Sequence, residues 1–344
     1  MTHTITVQPS GLSFTTEEGE NLLDAALKAK VLLPFSCRTG SCSTCKAKVV
    51  SGHFEAGEAP THILDSTELA EGYTLLCQVV AHSDMVIDAP QATQMSDIKL
   101  RKMPSRVLSI EPLSDDVIRL RVQLPKSEPF YFYAGQYLDF ILKDGQRRSY
   151  SMANAPNDAN IAELHLRHMP GGVFTDYVFG AQDGAKLKER EIIRVEAPLG
   201  SFFLREDTSK PIIFLASGTG FAPIKAIVEH MQQQGIQRSV HFYWGGRRPA
   251  DLYLHQLAQE WAATIPDFQY IPVISEAVPE DQWQGRSGFV HQAVMADFPD
   301  LQQHAVYACG APAMVEAARH DFVSMCQLPE EFFYADAFTS TADA

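Results

Sequence analysis

Four cysteines carry the first recognisable chemistry in this chain of 344 residues. Cys37, Cys42 and Cys45 lie in the run Ser36-Cys-Arg-Thr-Gly-Ser-Cys-Ser-Thr-Cys45, and Cys77 follows well downstream. The spacing C-x4-C-x2-C with a distant fourth cysteine is a ligand pattern for a [2Fe-2S] cluster. It makes electron transfer, rather than hydrolysis or simple binding, the leading function. Three thiolates must converge on one small cluster, so the backbone between them has to wrap tightly. Gly40 permits unusual backbone angles there, and Ser41, Ser43 and Thr44 are small enough to let the chain approach.

Two other uses of cysteine fit less well. A structural zinc site shows paired C-x2-C knuckles, and this chain has one such pair. A disulfide framework suits a short secreted chain. This one is long and opens Met-Thr-His-Thr with no apolar signal segment, so a cytoplasmic location is expected. Cys309 and Cys326 fall outside the spacing pattern.

The elements that must position these groups come in three stretches, where a chain of this length predicts two or three domains at about 150 residues each. The first alternates like strands (Thr4–Val7, Leu12–Phe14) and then shows a helical face through Leu22, Leu23, Ala26 and Leu27, predicting a helix over Asn21–Lys30. With a strand at Cys45–Val50 after the cysteine loop, the order suits a small β-grasp domain at 1–92. Residues 93–100 complete a polar, Pro-containing stretch and read as a linker. From 101 to 205 short β-rich runs such as Val117–Val122, Gln136–Leu142 and Ile192–Val195 predict an antiparallel barrel. From 206 to 344 buried-strand runs (Pro211–Ala216, Val240–Trp244, Ala305–Ala308) alternate with helices, predicting a parallel α/β sheet.

Charge narrows the partners. A net charge of −14 argues against nucleic acid, which needs a basic surface. No apolar run approaches the roughly 18 residues that span a bilayer. Residues 1–97 carry five Lys/Arg against twelve Asp/Glu, and 206–344 seven against seventeen, whereas 98–205 carry sixteen against thirteen. The basic middle is compatible with a bound anionic cofactor, and equally with a scatter of solvated charges.

Four further motifs follow in order. Arg148-Ser-Tyr-Ser151 ends a predicted barrel strand: an Arg can grip a pyrophosphate, Tyr150 can lie against a ring system, and Ser151 can bond a ring nitrogen. Gly171-Gly-Val-Phe-Thr175 opens a helix after a strand, where backbone amides receive phosphate oxygens. Ser217-Gly-Thr-Gly-Phe-Ala-Pro223 lies between a buried strand and an amphipathic helix, the setting of a glycine-rich dinucleotide turn. Pro223 stands where that motif has its third glycine, a placement a first helical turn accepts. Cys309-Gly-Ala-Pro-Ala-Met314 repeats the strand–glycine–helix pattern and sets a thiol at the carboxyl end of a sheet strand. Cys326, on the apolar side of the last helix with Val315, Ala318 and Phe322, reads as core.

Taken together the motifs resemble the ferredoxin–NADP⁺ reductase superfamily, and the whole chain resembles its three-module members, in which a plant-type ferredoxin is fused to a flavin barrel and a nicotinamide domain. The nearest branches are CDP-6-deoxy-Δ3,4-glucoseen reductase and the reductase components of bacterial oxygenases. The resemblance implies that Cys37, Cys42, Cys45 and Cys77 hold the cluster and that Arg148, Tyr150 and Ser151 bind FAD. It implies that Gly172, Val173, Phe174 and Thr175 hold the flavin phosphates, and that Gly218, Thr219, Gly220 and Pro223, joined by Gly310, cradle the nicotinamide dinucleotide. Cys309 then sits beside the nicotinamide, where hydride leaves for the flavin, and Phe338 is the candidate ring over the isoalloxazine, although the chain runs six residues past it.

In the turn Gly245–Tyr253, where the adenosine ribose is expected, Arg247 and Arg248 suit a 2′-phosphate whereas Asp251 suits a ribose hydroxyl, which leans toward NADH with NADPH possible. The implied function is electron relay from NADH through FAD and the cluster to an acceptor protein, either an oxygenase component or a PMP-dependent dehydratase. The alternative is a flavin or ferric reductase serving small molecules, which the run Tyr243–Arg248 resembles.

Overall fold

A computed structural model describes residues 1–95, 98–157, 159–181 and 186–339. It divides into two compact units: residues 1–98 with 200–202 and 335–344, and residues 99–199 with 203–334. No helix among the described residues is long and apolar enough to cross a membrane.

The first unit is a mixed sheet wrapped around one helix. It comprises β1 (Thr2–Gln8), β2 (Ser13–Glu17), α1 (Leu22–Lys28), β3 (Val31–Leu32), β4 (Lys46–Ser51), β5 (Phe54–Ala56), α2 (Ser66–Ala70), β6 (Tyr73–Leu75), β7 (Val79–Ala81), β8 (Met85–Asp88) and β9 (Thr93–Gln94). The main sheet runs β2-β1-β8-β4-β6, with β1 antiparallel to β2 and parallel to β8. Leu22, Leu23, Ala25 and Ala26 of α1 are buried, as a one-sided apolar helix requires.

Asn21 caps that helix by accepting from the amides of Leu23 (3.0 Å) and Asp24 (3.4 Å), and its own amide group donates to the Cys77 carbonyl at 2.8 Å. One side chain thus starts the helix and anchors the fourth cysteine. The helix is shorter than the pattern suggests because Lys30 turns into the left-handed region, φ 59°.

The polar stretch read as a linker begins inside the fold. Its residues Thr93 and Gln94 pair with Leu32 and Val31, and the Met95 amide donates to Lys30 O at 2.8 Å. Backbone pairing needs no apolar periodicity, so the sequence pattern does not reveal it. The later chain also contributes to this unit. Ser201 bonds both the amide and the carbonyl of Phe35, and buried Asp336 accepts from Ser36 Oγ at 2.5 Å.

In the second unit β10 (Arg101–Pro112), β11 (Val117–Gln123), β12 (Tyr137–Ile141), β13 (Arg147–Ser151), β14 (Ile161–Arg167) and β15 (Ile192–Leu199) form an antiparallel sheet ordered β13-β12-β15-β10-β11-β14, with α3 (Val173–Phe179) after β14. A bridge between Met152 and Leu164 joins the two outer strands and closes the barrel. Its interior is apolar, with Leu120, Leu138, Phe140, Leu164 and Val195 fully buried.

The rest of the unit alternates strands and helices: β16 (Ile212–Ser217), α4 (Phe221–Gln234), β17 (Val240–Gly246), α5 (His255–Thr264), β18 (Phe268–Ile274), β19 (Arg286–Ser287), α6 (Val290–Asp297), β20 (Ala305–Gly310), α7 (Pro312–Met325) and β21 (Phe333–Ala337), whose last three residues belong to the first unit. The strand order is β19-β18-β17-β16-β20-β21, parallel from β19 through β20. The chain leaves β16 toward β17 on one side and returns to β20 on the other. That reversal is the switch point at which α/β sheets bind ligands, beyond the carboxyl ends of the strands.

Candidate active site

The four cysteine thiols come together as two pairs. Cys37 and Cys42 hydrogen-bond to each other, and so do Cys45 and Cys77. In each pair the shared hydrogen bond holds one thiol, Cys37 or Cys77, below its ordinary range and pushes the other up. Two pairs are what a two-iron cluster asks for, one pair to each iron.

The surroundings fit such a cluster as well. The Thr39 amide points at Cys37 Sγ (3.4 Å), the Gly40 amide bonds Cys77, and Gln78 Nε2 lies 3.7 Å from Cys77 Sγ. Gly40 adopts φ +80°, and Arg38, at φ 62°, is held by Asp24 at 2.5 Å. Asn21, Arg38 and Gln78 support the loop; Arg38 and Gln78 carry no sequence signal beyond standing next to a cysteine, and Asn21 none beyond opening the helix.

In the barrel, Arg148 and Tyr150 lie on β13. The Arg148 guanidinium bonds Arg147 O and Gln146 Oε1, both at 2.8 Å, at an exposed turn. Tyr150 packs on Phe140 and Phe174, and no hydrogen bond of its hydroxyl occurs among the described residues. Burial raises its phenol far above the ordinary range, so it stays neutral. Ser151 is buried at the strand end.

The Phe174 side chain is 3% exposed within the barrel core, so this residue can offer a phosphate only its amide. Val173 is 52% exposed. Thr175 Oγ1 donates to Met169 O (2.9 Å) and accepts from the Met169 amide (3.2 Å), pinning the turn. A Cβ on Gly172 would stand 2.7 Å from that hydroxyl and 2.9 Å from Met169 O. The turn is built for glycine and ends on first-turn helix amides, which have no helical acceptors. An anionic flavin phosphate suits it.

At the switch point two glycine turns meet. A Cβ on Gly220 would stand 2.7 Å from the Cys309 carbonyl carbon, and one on Gly310 would collide with Ser217. These glycines let the ends of β16 and β20 touch, the close-approach role in a dinucleotide fold. Gly218 takes φ +51°, and its carbonyl accepts from Trp244 Nε1 at 3.0 Å. Thr219 is half-buried, whereas Pro223 is buried within α4. The Cys309 thiol is fully buried and donates to Gly220 O at 2.9 Å, so it braces the dinucleotide turn.

Asp251 Oδ2 accepts from the amides of Arg247 (2.8 Å) and Arg248 (3.0 Å), while Oδ1 faces Arg167 at 3.6 Å. Arg248 is held bidentately by Asp281 at 2.8 and 2.7 Å, and Arg247 is exposed. Phe338 is half-buried and belongs to the first unit.

Three protein families match successive parts of the chain. Residues 5–82 match a 2Fe-2S iron-sulfur cluster binding domain, 104–204 an oxidoreductase FAD-binding domain, and 214–320 an oxidoreductase NAD-binding domain. A CDP-6-deoxy-L-threo-D-glycero-4-hexulose-3-dehydrase reductase from Yersinia pestis is 41% identical over 338 residues, spanning 98% of this chain and 99% of its own. The chain belongs to the iron–sulfur flavoprotein reductases of the ferredoxin–NADP⁺ reductase superfamily. The reductase is also 36% identical to terephthalate 1,2-dioxygenase reductase component 1 of Comamonas sp, over 99% of this chain and 98% of that one. A solved cytochrome P450 reductase from Amycolatopsis superposes with a TM-score of 0.76 at 33% identity, over 98% and 99% of the two chains.

The reductase also buries a polar network between its barrel and α4 that no motif announces. Glu163, His165 and Lys225 are 5%, 4% and 6% exposed. His165 lies 3.2 Å from Glu163 through Nε2 and 3.0 Å from the Tyr253 hydroxyl through Nδ1. Burial keeps the Tyr253 phenol protonated, so it donates to Nδ1, and the ring proton sits on Nε2 toward Glu163.

Burial pulls His165 down to about 4, partly opposed by its bond to Glu163, with Lys225 and Arg119 adding repulsion. Unfolded, it takes a proton near 6.5. In that interval the unfolded chain binds more protons than the native one, so stability is expected to fall as pH drops from about 6.5 toward 4. Burial raises Glu163, yet its His165 bond and the Lys225 charge hold it well below the usual carboxylate range. Its contribution is lost at still lower pH. Urea unfolding at pH 7 and pH 5 checks this: His165→Gln should narrow the difference, and an unchanged difference would count against it.

Proposed function

We propose that the reductase draws electrons from NADH and delivers them through FAD and its [2Fe-2S] cluster to a separate acceptor protein. The observation that carries this reading is the pairing of the four thiols in a chain that also holds the two glycine turns of a dinucleotide site. When bound, the dinucleotide supplies a hydride, the flavin converts two-electron to one-electron transfer, and the cluster is the one-electron exit. In this reading Arg148 and the amides of 172–175 hold the flavin's pyrophosphate, Tyr150 and Ser151 its ring, and Phe338 covers that ring. Gly218, Thr219, Gly220 and Gly310 admit the dinucleotide, with Pro223 in the first turn of the helix completing the cradle, and Cys309 supports the nicotinamide face through Gly220. The functional divisions are 1–92, 101–205 and 206–344, joined by 93–100, in a cytoplasmic protein.

NADH is favoured over NADPH because Arg248 is spent on Asp281 and the Asp251 carboxylate stands in the ribose turn, leaving Arg247 alone to meet a 2′-phosphate. The expected result is a kcat/KM higher for NADH, and a ratio clearly favouring NADPH would overturn this choice. The names of the relatives point to two classes of acceptor, a deoxysugar dehydrase and an oxygenase component. The acidic first 97 residues suit a basic patch on either. Purified acceptors of both kinds, reduced by NADH and the reductase at rising ionic strength, test the reading. Reduction should occur with one class and weaken with salt as screening shortens the reach of charge. Transfer to neither class, with free flavin reduced instead, would favour the small-molecule reductase.

A further inference from the structure

The helix behind the dinucleotide turn is bolted to the flavin strand by charged side chains that the relay itself does not use. α4 begins at Phe221, directly after Gly220, and Lys225 lies one turn in. Its ammonium reaches three acceptors: Ala153 O at 2.9 Å, Glu229 Oε1 at 2.6 Å and Glu163 Oε1 at 3.1 Å. The first two are hydrogen bonds and the third is an ion pair. Glu229, one turn on, accepts from the Ala155 amide at 3.2 Å. Residues 153–155 follow β13 almost directly and are tied to β14, with the Ala153 amide donating to Glu163 O and the Glu163 amide to Asn154 Oδ1. Through Glu163 and His165 the same network reaches Tyr253, two residues past Asp251. One buried cation therefore touches the exit of the flavin strand and the helix of the dinucleotide turn, and through its partners the ribose turn.

Buried ion networks of this kind seldom add stability over a well-packed apolar substitute, so what they offer is a fixed geometry. We propose that Lys225 is a positioning residue for hydride transfer, holding the dinucleotide turn in register with the flavin strand. The proposal rests on the assignment of those two sites above. It predicts that Lys225→Met binds NAD⁺ within about twofold of the parent protein. Flavin reduction by NADH in anaerobic single turnover should slow on the order of 10- to 100-fold, because an ångström of misplacement at a reacting centre costs about 100-fold. The isotope effect with NADH deuterated at the transferred position should rise as the hydride step becomes more limiting.

A second readout needs no turnover. Amides of 153–155 should gain protection from hydrogen exchange when NAD⁺ binds the parent holoprotein, and should lose that response in Lys225→Met. Glu229→Gln, which keeps the shape but weakens the clamp, should lie between the two and serves if Lys225→Met does not fold. An unchanged reduction rate with full FAD content, or slowing matched by an equal loss of NAD⁺ affinity, overturns the proposal. If the parent protein itself does not reduce its flavin with NADH, the functional reading fails instead. The exchange response of 153–155 then decides the clamp alone, persistence in the variant counting against it.

Discussion

Cys42→Ser is expected to remove nearly all NADH-driven reduction of cytochrome c-type acceptors while leaving reduction of ferricyanide close to the parent rate. Cys42 is 4% exposed and paired with Cys37, so a hydroxyl there replaces a soft thiolate at the centre of the loop. Losing a mere supporting partner of a metal ligand costs roughly 10- to 100-fold, and losing the ligand should exceed that. The cluster's visible absorbance should vanish while that of FAD remains. Ferricyanide, a small strong oxidant, can take electrons before the cluster. The split between the two acceptors therefore locates the exit. Cytochrome reduction that survives would mean electrons leave from the flavin, and the small-molecule reading would take over.

Gly220→Ala should be among the most damaging single methyl additions in the nucleotide half. The added carbon would stand 2.7 Å from the Cys309 carbonyl carbon, closer still to its oxygen, and 3.1 Å from Gly310 Cα. All three are backbone atoms, in or beside strands locked in register from Ile212 with Ala305 to Ala216 with Cys309. Nothing flexible is present to yield, so β16 and β20 must part at their carboxyl ends. That also strains the bond from Cys309 Sγ to Gly220 O. A loss of about 3 kcal/mol or more is expected, the upper end for overpacking, together with weakened NAD⁺ binding. Gly218→Ala is the control. Its conflict is a left-handed φ of +51° and a 3.4 Å contact with the tip of Arg167, which can move, so about 1–2 kcal/mol is expected. Denaturant unfolding and NAD⁺ titration of both variants decide the order. If Gly220→Ala is the milder change, the backbone contact is not what shapes the turn.

The division of labour along the chain was legible because each fold announces itself by period: alternation in the barrel, and buried runs between amphipathic helices in the nucleotide sheet. Cys37, Cys42, Cys45 and Cys77 stood out as candidate cluster ligands from spacing alone. Their pairing, Cys37 with Cys42 and Cys45 with Cys77, was not, since it depends on how Gly40 and Asn21 fold the loop back onto Cys77. Gly220 and Gly310 were visible as glycines, yet their purpose emerged only once two distant strands lay side by side. Lys225 is the clearest omission. It sits among Ile224, Ile227 and Val228 on a helix whose apolar face explains itself, and one lysine there looks like a solvated edge. The Ala153 carbonyl and Glu163, seventy-two and sixty-two residues earlier in the chain, give it a reason to be buried.

The bond between Ser36 and Asp336 spans a sequence separation of 300 residues, and the contact of Phe35 with Ser201 spans 166. Both touch residues immediately before the first cluster cysteine. During synthesis the first unit therefore emerges early but cannot be completed until the far end of the chain has been made. At roughly 5–20 residues per second, that delay is about 15–60 s. For that interval the hydroxyl of Ser36 awaits Asp336, and for roughly the first half of it the amide of Phe35 awaits Ser201. A fragment ending near residue 95 would remain in that state indefinitely, so the cluster domain is better regarded as the last part of this protein to mature than as a detachable cartridge.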